Sequence, residues 1–261
     1  MLPTDPAAPA LAGRISDRVD QYCAELPPLV LPENHPGGRS MASWIDHTLL
    51  KPDARPAQIV QLCEEARAHE FYSVCINPLY VGLANQLLAE SPVRVCTVVG
   101  FPLGATPTRV KVYETRACLE RGASEIDMVI PVGLLRAGDY EAVLEDIQAV
   151  TETAHAMDAL VKVILDMALL NEREKIAGCL LSQAAGAEFV KTSTGFGPGG
   201  ATVADVRLMR RVVGPQMGVK AAGGVRSLAD ARAMLAAGAT RLGSSAGVII
   251  MRELLGGESA L

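Results

Sequence analysis

Lysine is scarce in this chain: only six of its 24 basic residues are lysines, and the remainder are arginines. Histidine is scarcer still, with four copies scattered singly and no HExxH arrangement, so a metal site is not expected. The six cysteines form no CxxC pair, which argues against a zinc cluster or a dithiol redox motif. Most lie in apolar runs and read as reduced, buried thiols of a cytoplasmic protein. There is no excess of positive charge either. A net charge of −5 leaves no basic stripe for a nucleic-acid backbone and no polybasic patch for a membrane surface. No apolar run is long enough to span a bilayer, and the opening MLPTDPAAPALAGR lacks the charged flank and apolar core of a signal peptide. What survives these exclusions is a small-molecule site.

What is present is a large apolar fraction, 49% of 261 residues, enough for one extensive core. Residues 1–40 are rich in Pro and Ala with a helical island near Ile15–Leu26, and they read as an N-terminal extension to a single domain over 41–261. From Ser43 onward one unit repeats: a short β-branched run, a loop, then an amphipathic helix. The expected strands are Trp44–Thr48, Tyr72–Ile76, Arg94–Val99, Glu125–Ile130, Val161–Leu165, Phe189–Thr192, Val219–Ala222 and Arg241–Gly243. Helices are expected over Pro56–His69, Thr106–Arg121, Tyr140–Ala156, Asn171–Ala185, Val203–Val213 and Leu228–Ala237, with a last one starting near Ala246. Ser227 stands as an N-cap, and Gly122 and Gly238 stand as residues that end helices. Eight alternating units predict an α/β fold of the (β/α)8 TIM-barrel class, with an open doubly wound sheet as its competitor.

In such a barrel the reactive groups gather where strands end. Lys162, Lys191 and Lys220 are spaced 29 residues apart and so fall on three consecutive strands, while Asp127 lies in the strand before them. Alternate residues of a strand face opposite sides, and a charged side chain can hardly face the helix layer, so all four should point inward. A buried amine beside other cations becomes available as a free base, and a free amine can attack a carbonyl carbon to form an imine. Lys162 admits a second reading, as a paired polar residue of the barrel core.

Two glycine-rich turns follow. Gly223-Gly224 comes directly after the seventh strand, and Gly243-Ser244-Ser245 leads from the eighth into the final helix. Glycine lets the backbone approach an anion, and a helix start supplies unpaired N–H groups, so these loops predict a phosphate cradle. A third run, Gly195 to Gly200, fits G-x-G-x-x-G. It follows the sixth strand rather than the first, and no acid stands about 20 residues on, so a nicotinamide cofactor is not expected.

IDHTLLKP (45–52), VCINP (74–78), VVGFPLG (98–104), EIDMVI (125–130), FVKTSTGF (189–196) and VKAAGGVR (219–226) together resemble the deoxyribose-phosphate aldolases in order and spacing, across residues 43–248. The resemblance implies reversible cleavage of 2-deoxy-D-ribose 5-phosphate to acetaldehyde and D-glyceraldehyde 3-phosphate, with no metal or organic cofactor. It implies Lys191 as the Schiff-base lysine, Lys220 as the amine that tunes it, and Asp127 as an acid/base partner acting through water. Gly223, Gly224, Ser244 and Ser245 would hold the phosphate, Thr48 and Cys75 would line the pocket, and Thr192 and Lys162 complete the substrate-binding set. A homodimer is expected by analogy.

The tail GGESAL carries no tyrosine where some members end in one, Phe196 stands where some carry a phosphate-binding lysine, and Asp166 stands where glutamate is common. These departures bear on substrate preference more than on reaction type. Two other functions remain compatible with the residues. One is a different lysine aldolase or a transaldolase-like enzyme; the other is a non-catalytic barrel that binds sugar phosphates.

Overall fold

A computed structural model describes residues 8–33, 35 and 40–258. In chain order its elements are α1 (Ala8–Ala24), β1 (Ile45–Leu49), α2 (Pro56–His69), β2 (Ser73–Ile76), α3 (Val81–Leu88), β3 (Arg94–Val99), α4 (Thr108–Leu119) and β4 (Glu125–Val129). There follow α5 (Val132–Ala137), α6 (Tyr140–His155), β5 (Leu160–Ile164), α7 (Glu172–Ala184), β6 (Phe189–Lys191), α8 (Val203–Val213), β7 (Gly218–Ala222), α9 (Leu228–Ala236), β8 (Arg241–Ser244) and α10 (Gly247–Glu258). The strands are all parallel, each pairs with the next, and β8 pairs back to β1 to close a barrel. Closure decides against the open doubly wound sheet.

Each expected strand is present within a residue or two of its predicted ends. Their near-continuous apolar runs are what a parallel strand needs, because one face meets the barrel core and the other the helix layer. Capping sets the helix starts. The Ser227 hydroxyl accepts the Asp230 N–H at 3.1 Å, and the Asp230 carboxylate accepts the Ser227 N–H in return. Asn171 and Glu174 repeat the arrangement at the head of α7. Past the helix ends, Gly122 and Gly238 take the left-handed backbone expected of them.

Two short helices, α3 and α5, were not legible from periodicity. Both are brief, apolar and interrupted by glycine, so a helical stripe cannot be told from a buried loop. Helix α1 also starts earlier than its amphipathic island, because the alanine-rich stretch upstream sustains a helix. It packs across α7 and α6. The chain then crosses α8, where the Arg211 guanidinium donates to the carbonyls of Leu26 and Pro27 at 2.8 and 2.6 Å. Among the described residues no helix is long and apolar enough to cross a membrane.

Candidate active site

The barrel interior holds a layer of charge. Asp127 of β4 and Lys162 of β5 are register partners, as are Lys191 of β6 and Lys220 of β7. Lys191 pairs across β5 with Ile164, two residues beyond Lys162, so Lys191 and Lys220 sit one step nearer the carboxyl ends of the strands than Lys162. One Asp127 oxygen, Oδ2, lies 2.7 Å from both the Lys191 and Lys220 ammonium nitrogens, and the other, Oδ1, lies 2.8 Å from Lys162. The four residues expected to face inward do so and meet at one carboxylate.

Three further charged residues complete the layer. Asp46 of β1 touches Lys220 at 2.5 Å, and Glu125 of β4 touches Lys162 at 2.6 Å. Arg241 of β8 reaches Asp46 at 2.9 Å and lies over the Tyr72 ring at 3.4 Å. These were missed in the sequence, although a signal existed: Asp46 precedes Thr48 by two residues and Glu125 precedes Asp127 by two, so each shares an inward face. The cysteines Cys75 and Cys96 are register partners on β2 and β3, and the Cys96 thiol donates to Asp127 Oδ1 at 3.2 Å. Cys75, Cys96 and Asp127 converge closely enough to ligate a cation. Asp127 already faces three ammonium groups, however, and these would repel a metal ion.

The electrostatics follow from that crowd. Burial by itself would push the Asp127 carboxyl up, but the ammonium groups of Lys162, Lys191 and Lys220 hold it well below the usual range. Burial would likewise depress Lys220, yet Asp127 and Asp46 outweigh it and keep the ammonium charged far above neutral pH. Lys162 is held charged in the same way, chiefly by Asp127 against the cost of burial. Lys220 thus stands beside Lys191 as a permanent cation. Gly243 makes room for it, since a Cβ there would come within 3.2 Å of the Lys220 Cε.

Above this layer opens a cavity of about 400 Å³ at the carboxyl ends of the strands, lined by Thr48, Lys51, Lys191, Gly223, Gly224, Arg226, Ser244 and Ser245 among others. Lys191 is the one of the three lysines that reaches it: 3% of its side chain is exposed, against none for Lys162 or Lys220. A larger groove of about 580 Å³ lies outside the barrel between Leu26, Leu29 and α8, but its charged pair, Lys175 with Asp205, is already satisfied. The cavity over Lys191 is where the reactive groups converge.

The expected phosphate loops border that cavity. Gly223 and Gly224 both take positive φ, near +88° and +87°, which other residues rarely adopt. The Gly195–Gly200 run serves close packing of loops: a Cβ at Gly200 would fall 2.3 Å from the Gly223 carbonyl oxygen. Ser244 is committed to its own loop, donating to the Val225 carbonyl at 2.7 Å and accepting the Ala246 N–H at 3.0 Å. Ser245 is exposed to the cavity. Three residues of the expected substrate set are placed elsewhere. Thr192 is fully buried and its hydroxyl bridges the Ala222 carbonyl and N–H across β6 and β7, because a β-strand alternates and its neighbour Lys191 takes the inward face. Lys162 and Cys75 are likewise fully buried, below the cavity floor, where each contacts Asp127.

Residues 40–256 match the DeoC/LacD family of aldolases. The chain belongs to that family. Within the DeoC/LacD aldolases it is 59% identical over 214 residues to the deoxyribose-phosphate aldolase of Halalkalibacterium halodurans, covering 82% of this chain and 95% of that protein. To the deoxyribose-phosphate aldolase of Thermococcus gammatolerans it is 57% identical over 216 residues, covering 82% and 96%. The crystal structure of a putative deoxyribose-phosphate aldolase from Coccidioides immitis superposes with a TM-score of 0.87 at 41% identity, covering 94% of this chain and 98% of that one. The family match begins at residue 40, so α1 lies before it.

Proposed function

We propose that this aldolase reversibly cleaves 2-deoxy-D-ribose 5-phosphate to D-glyceraldehyde 3-phosphate and acetaldehyde, with Lys191 as the covalent residue. The observation that carries the assignment is geometric. Lys191 alone of the three lysines inside the barrel opens into the cavity, while its nitrogen touches Asp127 and its register partner is Lys220.

The charge count supports the chemistry. The buried layer holds four potential cations, Lys162, Lys191, Lys220 and Arg241, against three carboxylates, Asp46, Glu125 and Asp127. Lys162 contacts three carboxylates and Lys220 two, whereas Lys191 has only an oxygen of Asp127 that it shares with Lys220. Lys191 is thus the least tied of the three amines and the one placed to attack a carbonyl as the free base. Its nitrogen adds to the C1 aldehyde of the open-chain sugar, the carbinolamine hydroxyl takes up a proton from solvent and leaves as water, and a positively charged iminium forms. As the C3 hydroxyl gives up its proton, the C2–C3 bonding electrons flow to that nitrogen. The enamine they form is neutral, so cleavage discharges an electrostatic surplus that the site itself creates. Protonation at C2 and hydrolysis then release acetaldehyde and free Lys191.

Asp127 stays ionised and Lys220 stays charged, so both are suited to orient the water that carries protons to and from the sugar rather than to titrate themselves. The phosphate would sit against the Gly223-Gly224 turn and the first N–H groups of α10, with Ser245 beside it. Thr48, whose hydroxyl donates to the Asp46 carbonyl at 2.8 Å, lines the wall near Lys191.

The test is borohydride reduction in the presence of acetaldehyde, followed by mass mapping. A two-carbon adduct on Lys191 is the expected result. An adduct on another lysine would end the assignment, and a dihydroxyacetone adduct in its place would point to a transaldolase-like enzyme. Binding of deoxyribose 5-phosphate without aldehyde release would instead indicate a non-catalytic barrel.

A further inference from the structure

The motif IDHTLLKP contains a charged residue that the chemistry above leaves unused. Lys51 lies just past β1, is exposed, and lines the same cavity as Lys191, Gly224, Ser244 and Ser245. Strand pairing explains why. His47 of β1 is the register partner of Ser244 of β8, so the chain leaving β1 runs beside the turn that enters α10. Among the described residues, Lys51 is the one lysine without an ion pair, since Lys111, Lys162, Lys175, Lys191 and Lys220 each contact a carboxylate.

An exposed lysine is ordinarily a solvated surface charge, but here the backbone under it is fixed from several sides. The Asn77 amide donates to the carbonyls of Leu50 and Lys51, both at 3.3 Å. The Ala54 N–H donates to the Lys51 carbonyl at 3.1 Å. The Tyr80 hydroxyl donates to the Ala54 carbonyl at 2.5 Å, which ties the far end of the loop to the segment after β2. These bonds hold the main chain and leave the ammonium group free. The cradle it faces has few full charges of its own. Ser244 is occupied within its loop, the glycine turns offer only backbone donors, and the one other cation in the lining beside the two lysines is Arg226, whose backbone N–H donates to Asp230 at 3.0 Å.

We propose that Lys51 is a specificity-determining residue that engages the phosphate dianion of the substrate from the β1 side of the cavity. This rests on the reading of that cavity as a sugar-phosphate site. The ammonium supplies a formal charge that the backbone cradle lacks, and the tethered loop reduces the entropy lost on binding.

The experiment compares wild type, Lys51→Met and Lys51→Arg with 2-deoxyribose 5-phosphate and with 2-deoxyribose. It also measures the binding of inorganic phosphate by calorimetry, which needs no turnover. Loss of one charge-assisted contact corresponds to about a tenfold effect or more. Lys51→Met should therefore lower the ratio of kcat/KM for the phosphorylated over the unphosphorylated sugar by about tenfold, mostly through KM, and weaken phosphate binding by a similar factor. Lys51→Arg should recover most of both. A ratio and a phosphate affinity that stay at wild-type values would overturn the proposal, as would equal losses with both sugars. If wild type cleaves neither sugar, the aldolase reading fails separately, and phosphate affinity in the variants still decides the role of Lys51.

Discussion

Lys191 and Lys220 are partners across adjacent parallel strands, and both nitrogens lie 2.7 Å from the same oxygen of Asp127. One carboxylate oxygen cannot fully neutralise two ammonium groups. Lys220 has a second anion in Asp46, whereas Lys191 opens onto the cavity, and this difference sets the two amines apart.

Lys191→Arg keeps a buried cation near Asp127 but cannot form an imine. Turnover should fall by on the order of 10⁴-fold or more while the fold is retained. Steady-state aldehyde release, with circular dichroism as the control for folding, checks this. Residual activity of even a tenth would remove Lys191 from the covalent step.

Lys162 has no access to the cavity, and its contacts with Glu125 and Asp127 mark it as a counter-ion beneath the reacting group. Lys162→Met strands buried carboxylates and should cost roughly 3–5 kcal/mol of unfolding free energy. Urea denaturation measures it. A loss below about 1 kcal/mol would show that the layer reorganises or takes up protons instead.

Acid should destabilise the protein through the same layer. Asp46 and Asp127 are held below their ordinary range in the folded state, by Lys220, Arg241 and Lys162 for one and by the three lysines for the other, in both cases against burial. In the unfolded chain they take up protons near pH 4. Their contribution is therefore fully present above about pH 5 and is lost as pH falls toward the depressed folded values. Unfolding free energy followed from pH 7 to pH 3 should fall below about pH 4, and the fall should be shallower in Asp127→Asn. An equal slope in the variant would contradict this account of Asp127.

Gly243→Ala places a methyl group 2.9 Å from the Ala222 Cβ and 3.2 Å from the Lys220 Cε. Strand β7 at Ala222 and the Lys220 stem must then give way, which displaces the ammonium from its contacts. Loss of kcat larger than the loss of stability is expected, since contacts about 1 Å out of place can lower a rate by about a hundredfold. Parallel kinetics and thermal unfolding decide it. Unchanged kcat would mean that Lys220 adapts without cost.

The sequence by itself determined where the eight strands lie, the inward placement of Asp127, Lys162, Lys191 and Lys220, and the two glycine turns. Each follows from a local rule: alternation along a strand, a fixed spacing between units, or a backbone conformation that glycine favours. Helices α3 and α5 escaped because their signal is shorter than the helical repeat needs. The resemblance carried by FVKTSTGF already pointed to Lys191, and the tertiary structure added what surrounds each lysine. Burial, spacing and strand context are nearly the same for Lys162, Lys191 and Lys220, and what separates them is the number of carboxylates each meets across the barrel. Glu125 and Arg241 come from strands that neighbour those of Lys162 and Lys220, whereas Asp46 comes from β1 and meets Lys220 only because the barrel closes. Charge compensation inside a closed barrel is a property of all eight strands at once, and no single stretch of chain carries it.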